Sequence, residues 1–185
     1  MDKSTFKGTI ISIQPRIRLL RSFDEASHTY LGYAIKLEGE IDNGDHVDNS
    51  NKTIFSIGIG KAAHAKHQFK VNDVISGECL PVPDTDMEPV DYYKVSKLKL
   101  ITRSTTIGST SAPWELVPTE LEVYRERGHR RLAARTYETK CSTCMWGCRM
   151  PVEIIVDNWN PRARKKYRFE TFCYGPLNCT FYKAG

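Results

Sequence analysis

Five cysteines lie close together in the last quarter of the chain, and their thiols carry the clearest chemistry in the sequence. Cys141, Cys144 and Cys148 form one group, and after 24 further residues Cys173 and Cys179 form a second. Because only two residues separate Cys141 from Cys144, a tight turn can direct both thiolates at one ion, as in structural zinc sites. The cysteine spacing therefore predicts a metal site.

A pattern typical of a β-hairpin lies between the two groups of cysteines. Residues 152–156 and 167–172 are strand-like runs, and a turn-rich segment at 157–161 separates them. This order of turn, hairpin and turn resembles the zinc ribbon. The resemblance implies a small metal-stabilised β-hairpin module over residues 136–185, which we call the cysteine module. The ligands that it implies are Cys141, Cys144, Cys173 and Cys179, with Cys148 in reserve because five residues rather than two separate the last two cysteines.

Two other interpretations of these thiols stay open. Four thiolates can also hold a 4Fe–4S cluster, and Cys141, Cys144 and Cys148 with one later cysteine would supply them. Disulfides are disfavoured, because a chain without a secretory signal is expected in the cytoplasm, where thiols stay reduced. A module of 50 residues also buries too little apolar surface to be stable without a staple. Zinc is the preferred prediction for these ligands, and the 4Fe–4S cluster is the alternative.

Positive charge accumulates around the cysteines. The chain has a net charge of +5, but residues 1–103 balance 14 basic against 14 acidic residues, whereas residues 125–168 hold 12 basic and 4 acidic residues. Arg and Lys side chains contact phosphates, and neighbouring Trp and Tyr rings stack on exposed bases. We therefore expect this region to bind RNA or DNA, mainly through the phosphate backbone. The expected contact residues are Arg125, Arg127, Arg130, Arg131, Trp159, Arg162, Arg164, Lys165, Lys166, Tyr167 and Arg168, with Arg16, Arg18 and Tyr30 as secondary candidates.

The N-terminal half alternates apolar and polar residues in the way typical of half-buried strands. In the first strand the odd positions from Ile11 to Leu19 are expected to face the core and the even positions to face solvent. Five such strands, with one short helix after the third, give an order that resembles the OB-fold, a five-stranded partly open barrel. The resemblance implies a ligand surface on strands two and three and on the loops at 21–28 and 81–91.

Together these features predict a mainly β protein in three parts. They are an OB-like barrel over residues 1–103, a linker with a basic helix capped by Thr119 over residues 104–135, and the cysteine module. No apolar run is long enough to span a membrane, and no nucleophile with a base and an orienting group can be assembled. We therefore expect a cytoplasmic, non-catalytic nucleic-acid-binding protein with a structural zinc site. The alternatives are a protein–protein adaptor that uses the barrel and the aromatic cysteine module, or an iron–sulfur redox or sensor protein.

Overall fold

The computed structural model describes residues 3–19, 28–42, 52–154, 159–160 and 166–185, and within these ranges the chain is mainly β. The strands are β1 (Ser4–Leu19), β2 (His28–Asp42), β3 (Thr53–Ile59), β4 (Val74–Pro81), β5 (Tyr92–Thr102), β6 (Arg130–Arg131), β7 (Gly147–Ile154) and β8 (Lys166–Cys173). The helices are α1 (Lys61–His67), α2 (Leu121–Arg127) and α3 (Ala134–Thr136), and a π-helical turn covers Tyr137–Cys141. The predicted mainly β class is confirmed.

The eight strands form one mixed sheet in the order β2-β3-β5-β4-β1-β7-β8-β6. Because β1 also pairs with β2, the first five strands follow one another in a closed order, β1-β2-β3-β5-β4, which we call the five-strand cycle. Four of its pairings are antiparallel, whereas β3 and β5 are parallel, with Ile57 opposite Tyr92. Helix α1 lies between β3 and β4 in the chain. The cysteine module extends the sheet from β1, where Leu19 lies opposite Val152.

Strand β1 changes its buried face halfway along its length. The even-numbered residues from Ser4 to Gln14 are buried, the odd-numbered residues from 13 to Leu19 are buried as well, and beyond Gln14 only the odd-numbered residues are buried. The change coincides with an irregularity in the pairing with β2 between Ile10 and Ser12, because one extra residue in a strand reverses the side to which the next side chains point. The expectation that Ile11 faces the core is therefore wrong: Ile10 is fully buried and Ile11 is only partly buried.

One buried cluster contains residues from all three predicted segments. Tyr33, Phe55 and other side chains of the five-strand cycle pack with Tyr124 of α2 and with Cys148 and Phe172 of the cysteine module. The shared core places the cysteine module directly against the five-strand cycle. The boundaries of the three predicted parts stay a prediction.

Helix α2 differs from its predicted beginning. Its N-cap is Glu120, without a side-chain capping hydrogen bond, rather than Thr119, and its C-cap is Gly128. The helix is 7 residues long, like α1. Among the described residues, no helix has the length and apolar character needed to cross a bilayer.

Candidate metal centre and nucleic-acid interface

Four of the five clustered cysteines line one small cavity. They are Cys141, Cys144, Cys173 and Cys179, and the cavity has a volume of about 10 Å³, about the room that one water-sized sphere takes. The first three thiols are buried and Cys179 is partly exposed. Aromatic side chains close the cavity; they belong to Trp114, Trp146, Phe181 and Tyr182. The four ligands that the zinc-ribbon resemblance implies therefore face the same space, which we call the four-cysteine site.

Pairing between β7 and β8 brings the two groups of cysteines together. Gly147 at the start of β7 lies opposite Cys173 at the end of β8, while Cys141 ends the π-helical turn that precedes β7. Residue 147 has to be glycine, because a Cβ atom there would lie 2.6 Å from the carbonyl oxygen of Cys141 and 2.7 Å from Nε2 of Gln14. The turn and the strand pair therefore fix the two halves of the four-cysteine site.

Hydrogen-bond donors point at two of the sulfur atoms. The N–H of Gly175 donates to Sγ of Cys173 over 3.3 Å, and the guanidinium group of Arg130 lies 3.8 Å from the same sulfur. Burial raises the pKa of Cys144, and backbone hydrogen bonds, of which the one with Trp146 is the largest, oppose that rise. Donors aimed at sulfur favour the thiolate, which is the form that binds a metal.

Ionisation of the Cys141 thiol is unfavourable without a cation beside it. Burial, with the charges of Cys144, Cys173 and Cys179, raises the pKa of Cys141 to about 12. In the described part of the chain, no group of three or more His, Cys, Asp or Glu side chains is placed so that it could hold a metal ion. The donor types and the shared cavity suit a metal, whereas the present side-chain positions do not form a closed coordination site.

Cys148 lies apart from the four-cysteine site. Its side chain is fully buried in the main core, and its Sγ donates to the carbonyl oxygen of Pro15 over 3.4 Å. Burial raises the pKa of Cys148 above its usual range. Cys148, the predicted reserve ligand, therefore lies apart from the other four thiols.

A buried glutamine that the sequence analysis placed on the solvent face connects β1 to the cysteine turn. Nε2 of Gln14 donates to the carbonyl oxygens of Cys141, over 3.0 Å, and of Cys144, over 2.8 Å. Its Oε1 accepts from the hydroxyl group of Tyr137 over 2.6 Å. The expectation for Gln14 is wrong, because the residue is 7% exposed and its partners lie more than a hundred residues away in sequence.

Two of the predicted nucleic-acid contacts hold the loop between the last two cysteines. Nε of Arg127 donates to the carbonyl oxygen of Tyr174 over 2.7 Å. Arg130 donates to the carbonyl oxygens of Gly175 and Pro176 over 3.2 and 3.0 Å. These guanidinium groups therefore have intramolecular partners that position Cys173 and the turn after it.

The other predicted contacts in this region differ in their surroundings. Arg131 and Arg168 both form ion pairs with Glu170, and the guanidinium group of Arg125 lies 4.8 Å from the ring centre of Tyr30. Of the remaining candidates, Lys166 and Trp159 are exposed, Tyr167 is partly buried, and Arg162, Arg164 and Lys165 lie outside the described residues.

Arg16 and Arg18 hold the β4–β5 loop against β1. Both guanidinium groups pair with Glu88, over 2.6 and 2.5 Å, and the three side chains are only 11–23% exposed. In the same loop, Asp91 accepts hydrogen bonds from the N–H and the hydroxyl group of Ser56, both over 2.7 Å. The charge of Glu88 is therefore neutralised by two arginines, and the carboxylate of Asp91 is hydrogen-bonded within the fold.

A cleft of about 380 Å³ separates the five-strand cycle from the cysteine module. Its first wall includes Lys36 of β2, residues of β1 and β3, and the β4–β5 loop, so the predicted surface on strands two and three forms part of it. The opposite wall includes Arg149 and Phe169, and the guanidinium group of Arg149 lies 4.4 Å from the ring centre of Phe169. Lys36 and Arg149 are exposed. The sequence does not predict Lys36, Arg149 and Phe169 as site residues, because only the packing of the two parts makes them neighbours.

The chain matches no protein-family model, and no curated protein or solved structure is significantly similar to it, so its function has to be inferred from this geometry.

Proposed function

We propose that this chain is a cytoplasmic, non-catalytic protein that binds single-stranded or structured RNA or DNA, and that a structural zinc ion holds its cysteine module together. The observation that carries the proposal is the cleft between the five-strand cycle and the cysteine module. The order β1-β2-β3-β5-β4, with α1 between β3 and β4, supports an OB-like barrel, and ligands of OB-folds bind to the face on which this cleft lies.

The chemistry of the cleft suits nucleic acid. Its volume of about 380 Å³ lies within the usual range of ligand sites, about 300–1,000 Å³. Lys36 and Arg149 supply positive charge for phosphates, and the ring of Phe169 supplies a surface on which a base can stack. The carboxylates of Glu88 and Asp91 in the same cleft already have partners, so their repulsion of phosphate is reduced.

Zinc is the metal that the four-cysteine site favours. Thiolates are preferred zinc ligands, and a site with four protein ligands leaves no open position for a substrate, which is typical of structural zinc. The cavity that the four thiols line has a volume of about 10 Å³, the room of one water-sized sphere, which suits a single ion. Zinc would be held by Cys141, Cys144, Cys173 and Cys179 and would cross-link the turn before β7 to the segment after β8.

Binding of a fluorescent single-stranded oligonucleotide, followed by anisotropy at several salt concentrations, tests the proposal. Each phosphate contact contributes about 0.7 to the slope of log affinity against log salt concentration for single strands. The double variant Lys36→Ala/Arg149→Ala should bind more weakly, and its slope should be smaller by about 1.4.

A matched control removes the same charge elsewhere. Lys7 and Arg135 are exposed and do not line the cleft, so Lys7→Ala/Arg135→Ala should keep the wild-type affinity. Wild-type binding that ignores salt would contradict the proposal. Equal losses in the two double variants would also contradict it, because they would show that net charge, and not the cleft, determines affinity.

A further inference from the structure

A second groove, of about 670 Å³, runs along the seam where β3 and β5 meet. It is lined by the end of β3 from Gly58 onward, by α1, and by residues 93–98 of β5. We call it the seam groove. None of its lining residues also lines the cleft between the five-strand cycle and the cysteine module, so it is a separate surface.

The charge of the seam groove has one sign. The charged side chains among its described lining residues are Arg16, Lys66, Lys94 and Lys97, and none of the described lining residues is acidic. Within the described part of the chain, Lys66 and Lys94 form no ion pair with a carboxylate. Lys97 pairs with Glu78 over 2.6 Å, yet its side chain remains 72% exposed. Three lysines from two elements therefore present positive charge to the groove.

The backbone of β5 is irregular at two of these lysines. Lys94 and Lys97 have φ angles of 49° and 50°, in the left-handed region where a residue with a side chain is less stable than glycine. The pairing of β5 with β4 shifts twice in the same stretch, so each lysine lies in a bulge. Glycine is the usual residue at a left-handed bulge position, and bulges change the direction of side chains next to functional sites. Lysine occupies both positions although glycine would be more stable there, which indicates that the positive charge of the side chain has a function.

We propose that the seam groove binds the phosphate backbone of single-stranded nucleic acid, as a second contact surface beyond the cleft. This inference rests on the proposed nucleic-acid-binding function. The lysines lie on α1, at residue 66, and at two separate positions of β5, residues 94 and 97, a distribution that suits a row of phosphates better than one small anion. The ring of Tyr93, 5.0 Å from Nζ of Lys94, adds an aromatic surface of the kind that bases stack on.

The double variant Lys94→Gly/Lys97→Gly separates charge from folding. Glycine tolerates a positive φ, so the variant should unfold at the same or a higher denaturant concentration than the wild type while losing two positive charges. It should bind a single-stranded oligonucleotide more weakly at every salt concentration. Between about 50 and about 200 mM salt, its affinity should fall about sevenfold less than that of the wild type, because two contacts change the slope by about 1.4.

The control variant is Lys7→Ser/Lys99→Ser, which removes two exposed lysines outside the groove and should bind like the wild type. Equal weakening in the two double variants would overturn the inference, and so would an unchanged affinity in Lys94→Gly/Lys97→Gly. If that variant binds normally while Lys36→Ala/Arg149→Ala does not, the inference fails and the proposed function stands. If the wild type binds no oligonucleotide, the proposed function itself fails.

A separate measurement distinguishes nucleic acid from a free polyphosphate as the ligand of the seam groove. Tripolyphosphate, titrated at constant ionic strength, should displace the oligonucleotide only weakly, because it carries few phosphates and no base that can stack. Displacement at tripolyphosphate concentrations equal to those of competing oligonucleotide would overturn the assignment to nucleic acid.

Discussion

Replacement of Gln14 by leucine tests whether β1 supports the turn that carries the first two cysteines of the four-cysteine site. Leucine is similar in size to glutamine but neither donates nor accepts a hydrogen bond. The substitution therefore removes the two hydrogen bonds to the carbonyl oxygens of Cys141 and Cys144, which keep their backbone N–H donors, and the one from the hydroxyl group of Tyr137.

The expected loss follows from these three hydrogen bonds. A typical intramolecular hydrogen bond contributes about 1 kcal/mol net, so the free energy of unfolding should fall by about 3 kcal/mol in Gln14→Leu. In a protein of this size, about 1 kcal/mol shifts the melting temperature by about 2–4 °C, so the variant should melt about 6–12 °C lower.

Urea unfolding followed by tryptophan fluorescence measures this change, and Tyr137→Phe provides the internal check. Tyr137→Phe alone should lose about 1 kcal/mol, and in the Gln14→Leu background it should lose almost nothing, because the bond between them is already gone. A loss below about 1 kcal/mol in Gln14→Leu would refute the assignment of this residue as a support. Additive losses in the double variant would refute the bond to Tyr137.

Three further predictions concern other parts of the fold. Cys148→Ala should keep the full zinc content, because Cys148 lies outside the four-cysteine site, and should lose about 1–3 kcal/mol of stability, because removal of a fully buried sulfur atom leaves a cavity; reduced zinc by elemental analysis would contradict this. Gly39→Ala should lose about 1–3 kcal/mol of stability in urea, because its Cβ would lie 2.2 Å from the carbonyl oxygen of Lys7, whereas Gly60→Ala, with no atom within 4 Å, should lose much less. Burial lowers the pKa of His64 below 6.5, and its Nδ1 has no partner among the described residues. As the pH falls below 6.5, the unfolded chain therefore binds a proton more readily than the folded chain does. The free energy of unfolding should fall as the pH is lowered through that range. In His64→Gln this part of the pH profile should be flatter; an unchanged profile would argue against His64 as its source.

The alternation of apolar and polar residues correctly predicts a mainly β fold. It does not predict which face of a strand is buried where pairing with a neighbouring strand is irregular. Alternation of apolar and polar residues is a property of a single strand, and it correctly indicates β2 and β3, where Tyr33 and Ile57 are buried. The change of face in β1 after Ile10 comes from its pairing with β2. The left-handed residues Lys94 and Lys97 depend in the same way on pairing with β4. These features involve a partner strand, so the sequence of one strand does not contain them.

The spacing of the cysteines indicates which thiols lie together, whereas a basic run does not indicate the partners of its arginines. The order of turn, hairpin and turn is local, and it brings Cys141 and Cys173 to one cavity; the zinc ion itself stays a prediction. Arg127 and Arg130 lie in a basic run typical of a phosphate-binding surface, yet their guanidinium groups bind carbonyl oxygens 45–47 residues away. No sequence signal distinguishes an arginine that binds phosphate from one that binds a distant carbonyl group.

In the function that we propose, zinc in the four-cysteine site holds one wall of a nucleic-acid-binding cleft. Stripping the metal with a chelator under reducing conditions, and then titrating zinc back while the anisotropy of a labelled single-stranded oligonucleotide is followed, tests this claim in one measurement. Oligonucleotide binding should weaken when zinc is removed and return fully with one zinc ion per chain. Oligonucleotide affinity that is the same with and without zinc would contradict this claim.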